Sequence, residues 1–374
     1  MRRAYGFGSR VRRASGRPTL ALAALVLAGL GLSGCMPLAI GTAARGTRPS
    51  GNDGIGFYVS KGRIYQPNGR EFIPMGYNAA LNHGELAKEY HANAVRLVSV
   101  TPSFGPDWPT TFQQHRDAVA AAVGSGLAAI LEMHDATGDS SAEAWNHILA
   151  YWTSPQAVQL AKDYEGGLWL NIANEHNFDS PESWRDEYSE LIRDMRALGV
   201  KNLIVLDGDS AWGQSPNGIK LYGKEMLESD PQHNVLFSVH MYTYWKTTLD
   251  DGYQSIVGSW NAAPGGGGDP WLAETELAWL RGNEIPFVLG EFGWHLPASD
   301  GVGVNGEGLI KAARDSGYGF LFWELLNWPG DYYRPYTILL GQESADNGPP
   351  YSLSPAGEYI VPYLRENAEA ASSP

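Results

Sequence analysis

Eight apolar runs rich in β-branched or aromatic residues recur along the chain, and each is too short to be a core helix. They lie at Phe72–Met75, Ala94–Val98, Ala128–Met133, Leu168–Ile172, Leu203–Leu206, Leu236–Val239, Phe287–Leu289 and Gly319–Phe322. Continuous apolar runs of this length fit strands of a parallel sheet covered on both faces. Helical patterns fill several of the gaps, at Phe112–Val123, Pro155–Tyr164, Pro181–Leu198 and Gly308–Ser316. Pro155 and Pro181 each follow a serine, the order expected of an N-cap and a first helical turn. Eight strands alternating with helices predict an α/β fold, a (β/α)₈ barrel. A doubly wound sheet is the competing arrangement, but no glycine-rich phosphate loop follows an early strand. Ahead of the first run, Tyr58–Ile64 and Glu71–Ile73 flank Asn68-Gly69, a hairpin signal, and the hairpin is expected to plug the bottom of the barrel. The longest gap, Met241–Pro286, contains Gly265–Gly268 and reads as an elaborated loop.

The ends of the chain differ from this body. Residues 1–34 hold six arginines and no acid or lysine, followed by an apolar stretch from Leu20 to Leu32. That stretch is short of the ~20 residues a membrane span needs, and a basic head before it reads as a secretory signal. Leu32-Ser33-Gly34-Cys35 resembles the lipobox of bacterial lipoproteins, which implies cleavage before Cys35 and lipidation of the only thiol in the chain. The expected organisation is a signal peptide at 1–34, a flexible tether at 35–55, a catalytic body at 56–365 and a disordered tail at 366–374. The protein is then exported, held at the membrane surface by lipid alone, and monomeric. A single cysteine excludes a disulfide framework. Without residues 1–34 the chain carries 21 basic and 41 acidic side chains, a formal charge of −20. Such a surface repels nucleic acid and suits a neutral substrate.

In a (β/α)₈ barrel the active site lies at the C-terminal ends of the strands. Just after the runs stand Asn78, Arg96, His134, Asp135, Asn174, Glu175, Asp207, Asp209, His240, Tyr242, Glu291 and Trp323. Glu175 and Glu291 end the fourth and seventh runs, an expensive place for a charge unless it is paired or used. Cleaving a glycosidic bond takes two carboxyl groups: a protonated one for the leaving oxygen, and an ionised one that attacks the anomeric carbon or activates water. Strands four and seven can face one another across the mouth, but sequence spacing leaves retention and inversion both open. A metal reading of His134-Asp135 lacks a His-x-His after the first strand, since Asn78-Ala79-Ala80 stands there; no metal and no cofactor are expected. Glu132 and Glu324 lie on or beside strands, and because alternation points Glu132 opposite to Met133, both are set aside.

Several segments then match a family pattern in order: Leu131-Glu132-Met133-His134-Asp135-Ala136-Thr137-Gly138, Asn171-Ile172-Ala173-Asn174-Glu175, Trp212-Gly213-Gln214, Phe237-Ser238-Val239-His240-Met241-Tyr242, and Glu291. From Gly76 to Trp323 the chain resembles glycoside hydrolase clan A, family 5, and its bacterial β-mannanase branch in particular. The resemblance implies a retaining, endo-acting enzyme on β-1,4-linked mannan, with Glu175 as acid/base and Glu291 as nucleophile. It further implies that Asn174 binds the sugar 2-hydroxyl and that Arg96 and Tyr242 hold Glu291 ionised. His134 and His240 would bind or orient beside the cleaved bond, Trp323 would lie under the −1 sugar, and Trp212 would stack on a neighbouring one. The expected partner is a polysaccharide or oligosaccharide. A β-1,4-glucanase of the same family and a glycan-binding surface lipoprotein are the alternatives. Three departures stand out: His176-Asn177-Phe178 where many relatives carry proline after the acid/base, the strand-eight segment beyond Trp323, and the loop from Thr243 to Pro286.

Overall fold

The structure is a computed structural model that describes residues 45–103, 110–242, 244–249, 271–294, 305–326, 337–341 and 349–372. The signal, the lipobox with Cys35, the glycine run 265–268 and Trp328 lie outside these residues.

Two short strands open the described chain, β1 (Tyr58–Ser60) and β2 (Arg63–Tyr65), paired antiparallel. The barrel strands follow: β3 (Met75–Ala80), β4 (Ala94–Ser99), β5 (Ala128–Met133), β6 (Leu168–Asn171), β7 (Ile204–Leu206) and β8 (Val235–Met241). After the small β9 (Trp245–Lys246) and β10 (Trp271–Leu272) come β11 (Phe287–Phe292) and β12 (Gly319–Phe322). All eight pair in parallel, in the order β3-β4-β5-β6-β7-β8-β11-β12, and β12 closes back on β3 through Phe320 opposite Met75. The predicted (β/α)₈ barrel is the observed fold. Around it stand α1 (Leu86–Glu89), α2 (Phe112–Gly124), α3 (Ala142–Trp152), α4 (Pro155–Asp163), α5 (Pro181–Ala197), α6 (Asn217–Ser229), α7 (Ala273–Gly282), α8 (Gly306–Asp315) and α9 (Pro355–Ser372).

The helices foreseen in the sequence carry legible starts. Thr111, Ser154 and Ser180 accept hydrogen bonds from the first turns of α2, α4 and α5, and Pro155 and Pro181 occupy first-turn positions. By contrast the residue before α7 gives no side-chain cap, and the first N–H groups of α6 are met by Ser215 and, from nine residues upstream, Asp209. So α7 lies inside the stretch read as loop between Met241 and Pro286, its start marked by no cap and only by Glu274 and Glu276 in the first turn.

Two further readings are corrected. The first barrel strand is Met75–Ala80, not Phe72–Met75. Pro74 has no N–H to give a ladder, and Phe72 instead packs edge-on against Trp169, centroids 5.9 Å apart. The hairpin turns at Lys61-Gly62, both at positive φ, a geometry that matches strand twist; Asn68-Gly69 makes a second turn, which returns the chain to bridge Tyr65 with Glu71.

As foreseen, the hairpin closes the bottom. Val59 and Ile64 join Ala94, Ala128, Ile130, Trp169, Leu203, Val205, Leu236, Val288 and Leu321 in one buried cluster inside the barrel. A larger apolar cluster lies between the strands and the helices.

Residues 45–55, read as tether, are laid against this same bottom end. Gly46 N–H donates to Gly69 O at 2.9 Å, Arg48 reaches Asn52 and Gly56 O, and Asp53 pairs with Lys201 at 2.6 Å and Gln232 at 2.9 Å. At the other terminus α9 continues past Arg365 to Ser372, so the helix occupies most of the stretch expected to be tail.

Candidate active site

The interior of the upper barrel is polar, and Arg96 is its centre. It is 1% exposed and spends every donor group on neighbouring strands. Nε donates to Asn171 Oδ1 (2.7 Å), Nη1 to Asn78 Oδ1 (2.9 Å) and Glu291 Oε1 (2.6 Å), and Nη2 to Asn174 Oδ1 (2.7 Å). Asp207 and Glu132 stand 3.6 and 3.9 Å from Nη2. Burial opposes the charge on Arg96, but Glu132, Glu291, Asp207 and Glu175 outweigh it and raise its pKa further.

Glu291 is aimed by a local irregularity. The pairing of β11 with β8 shifts register between Leu289 and Glu291, and a bulge of this kind redirects a side chain. Only glycine fits at 290, where a Cβ would lie 2.2 Å from Ser238 Oγ. One Glu291 oxygen takes the Arg96 contact; the other accepts from Tyr242 O–H at 3.1 Å and lies 3.4 Å from His240 Nδ1. Burial pushes the Glu291 carboxyl above the ordinary carboxylate range, while His240 and Arg96 pull it back.

Glu175 follows β6 on a residue with φ +51°, a region that non-glycine residues enter at some cost. Its N–H donates to Asp207 Oδ2 at 3.3 Å and its carbonyl accepts from Gly138 N–H at 2.9 Å, which holds the turn. The carboxylate meets His240 Nδ1 at 2.6 Å. Burial opposes protonation of His240, yet Glu291, Asp207 and Glu175 together lift its pKa to about 9. Ligand atoms of Glu175, His240 and Glu291 all lie within 4.8 Å of one another. A divalent cation among them would sit against the Arg96 guanidinium, which already neutralises Glu291.

Around this pair the other expected residues assemble. His134 stacks on Trp323, with centroids 5.9 Å apart and planes 22° apart. Its Nε2 is 3.4 Å from Asn174 Nδ2, and its Nδ1 contacts Glu132 at 3.1 Å. Burial opposes a proton on His134, and Glu132 and Glu291 together outweigh it, so its pKa is raised. Trp323 N–H donates to Phe292 O at 3.0 Å, and the peptide after Trp323 is cis. Trp212 is 46% exposed at the rim, and the next residue, Gly213, lies against Glu175. Asp135 is a loop brace, accepting from Thr101 N–H and O–H at 2.7 and 2.6 Å. Thus Glu175, Glu291, Arg96, His134, Asn174, Trp212, His240, Tyr242 and Trp323 share one mouth.

Residues 75–328 match the family model described as Cellulase (glycosyl hydrolase family 5). The chain belongs to glycosyl hydrolase family 5. It is therefore an O-glycosyl hydrolase. Over 290 residues this family 5 enzyme is 27% identical to a mannan endo-1,4-beta-mannosidase of Salipaludibacillus agaradhaerens, covering 74% of this chain and 82% of that protein. A protein of the same name from Cellvibrio japonicus is 27% identical over 292 residues, and the chain spans 60% of its length. Among solved structures, a beta-mannanase from Thermomonospora fusca superposes with a TM-score of 0.64 at 24% identity, over 82% of this chain and 94% of that one.

Sequence reasoning missed part of the family 5 site. Glu132, fully buried between Arg96 and His134, was set aside, and this is corrected: pointing opposite to Met133 places it inside the barrel. Asn171 links Arg96 to Asp207, and Asp207 links Asn171 to the Glu175 turn. The usable signal was two polar residues, Glu132 and Asn171, within otherwise apolar strands. Gln214 accepts from the backbone N–H groups of Tyr242 and Tyr244, fixing the loop after β8.

Proposed function

We propose that this family 5 hydrolase is a retaining, endo-acting β-1,4-mannanase. The observation that carries the mechanism is the separation of Glu175 and Glu291, whose nearest carboxyl oxygens lie within 4.8 Å. Direct attack on an anomeric carbon takes carboxyl groups about 5–5.5 Å apart, whereas an intervening water needs about 6.5–9.5 Å.

In the first step Glu291 bonds to the anomeric carbon as Glu175 passes its proton to the leaving oxygen. In the second, water attacks that carbon, Glu175 takes the proton of the water, and Glu291 leaves with its electron pair. Two inversions give net retention. His240, 2.6 Å from Glu175 and with its pKa raised to about 9, steadies the carboxylate that Glu175 becomes between the two steps, before the proton of the water restores the acid. Arg96 and Tyr242 stabilise the Glu291 carboxylate when it departs. Asn174, held by Arg96 and Thr137, faces the sugar as the reader of the 2-hydroxyl. Trp323 and Trp212 offer apolar faces to neutral pyranose rings.

The named relatives support mannan as the substrate, and one Thermomonospora fusca structure is titled a mannohexaose complex. A relative from Caldicellulosiruptor saccharolyticus is named a beta-mannanase/endoglucanase, which keeps a glucan specificity in view. The test is reducing-sugar release from galactomannan, glucomannan, carboxymethyl-cellulose and xylan, with ¹H NMR of the first-formed anomer. Release from both mannans with the β-anomer first supports the reading; an α-anomer first, or release confined to cellulose, overturns it. We also propose that the enzyme is exported as a lipoprotein through Cys35. Activity found wholly in culture medium, with no lipid label on the protein, would refute that.

A further inference from the structure

We propose that Asn177 is a positioning residue that makes Trp212 a platform for the leaving-group sugar, so that it sets affinity for the departing part of the chain and not the chemistry. The proposal rests on the glycosidase reading above and concerns a residue two positions past Glu175, in the segment His176-Asn177-Phe178 that departs from the family pattern.

Asn177 ties together three loops that meet at the mouth. Its backbone N–H donates to Asp139 O at 2.9 Å and its side-chain N–H to Gly138 O at 3.0 Å, fixing the loop after β5. Its Oδ1 accepts from the backbone N–H of Trp212 at 3.0 Å, fixing the loop after β7. Asn177 itself belongs to the loop after β6, two residues past Glu175.

Trp212 needs such a support. It is half exposed and sits at φ +54°, with Ala211 before it at +57°, two successive non-glycine residues in a region that favours glycine. The indole rests against bare backbone: a Cβ at Gly138 would lie 1.9 Å from Trp212 Nε1, and Gly138 itself has φ +68°. Asn177 therefore holds both the tryptophan and the seat beneath it.

The side of the cleft follows from the neighbours. Trp323 and His134 stack beside Asn174, where the glycosyl unit attacked by Glu291 lies. Trp212 instead belongs to the loop that runs alongside the proton donor: a Cβ at the next residue, Gly213, would be 3.3 Å from Glu175 Cγ, and Gly213 O accepts from His240 N–H at 3.1 Å. The group that receives the Glu175 proton is the leaving sugar, so Trp212 lies on that side. A pyranose stacked there is retained by apolar contact, with a neutral ring against an indole face.

The test compares a substrate that has a leaving-group sugar with one that has none: mannohexaose and β-mannobiosyl fluoride, with cellohexaose and β-cellobiosyl fluoride run beside them. In Asn177→Ala the ratio of kcat/KM on the hexasaccharide to that on the fluoride falls on the order of tenfold, mostly in KM. The pH–rate profile does not move. Gly138→Ala, which lifts the indole off its seat, gives the same signature. Asn177→Asp keeps the acceptor for Trp212 N–H and regains part of the ratio. In a Trp212→Ala background, Asn177→Ala changes the ratio by less than about twofold, because the two act as one unit. Equal losses on both substrates, a displaced pH profile, or additive effects in the double variant would overturn the proposal by assigning Asn177 to Glu175 or to folding. A wild type inert on both substrate pairs would overturn the glycosidase reading itself, and the proposal with it.

Discussion

The lower and upper halves of the same barrel strands are built from opposite materials. Along β5 the inward residues run Ala128, Ile130, Glu132; along β6, Trp169 and Asn171; through β7, Leu203, Val205 and Asp207; along β8, Leu236 and, above Ser238, His240. The lower members belong to one apolar cluster, and the upper ones are buried polar groups within reach of Arg96 or the two glutamates. One two-residue step along a strand thus crosses from a layer that excludes water by packing to a layer whose charges must balance one another. The lower layer tolerates loss of chemistry but not loss of volume; the upper layer has the reverse sensitivity.

The widest gap between the layers should open with Glu291→Ala. It removes the proposed nucleophile and should lower hydrolysis of galactomannan by on the order of 10⁴-fold or more, with a thermal midpoint close to wild type. Full activity in that variant would dissolve the distinction at once. The complementary variant, Trp169→Ala, should cost about 3–5 kcal/mol of stability in a denaturant titration. Its kcat/KM per folded molecule should stay within about twofold of wild type, since the site above is built on other side chains.

Arg96→Met sharpens the border because it breaks both rules. It leaves Glu132, Asp207 and Glu291 buried without their cation, a loss of about 3–5 kcal/mol. Without Arg96 the Glu291 carboxyl also rises further above its already raised position, so the acid limb of kcat/KM should move to higher pH.

His240→Gln is the mildest of the series. Losing a charge beside Glu291 should again move the acid limb upward. The sign for stability is the opposite of a carboxylate's. His240 has its pKa raised from the ordinary 6.5 to about 9 in the folded protein, so its contribution is complete below about pH 6.5 and is lost as pH rises through about 9. The stability difference between wild type and H240Q, followed by urea titration from pH 6 to 10, should therefore shrink with rising pH.

Much of the lower layer was legible because packing leaves a pattern: apolar runs, serine caps and proline at first turns are local signals. The reactive glutamates were legible for a related reason, since each ends an apolar strand and nothing else explains its charge. Glu132 and Asn171 escaped because their meaning depends on which face of the strand points inward, a property that only closure of the barrel decides. Asp207 stood among the strand-end residues, but its value lies in what it touches, the Glu175 backbone and the His240 ring. The register shift before Glu291 left only Gly290 as a trace. The start of α7 offered only two acidic residues, Glu274 and Glu276, in place of a cap, and part of the α6 cap comes from Asp209, far from it in sequence.

The N-terminal strap has a mechanical consequence. Residues 45–55 are fastened beneath the barrel to Lys201 and Gln232, residues that precede β7 and β8. A load applied upstream of Arg45 therefore reaches the molecule through the face opposite Glu175 and Glu291. A support, a surface or a fused partner attached at that point would pull on the water-excluding layer, at the end of the barrel away from the two glutamates.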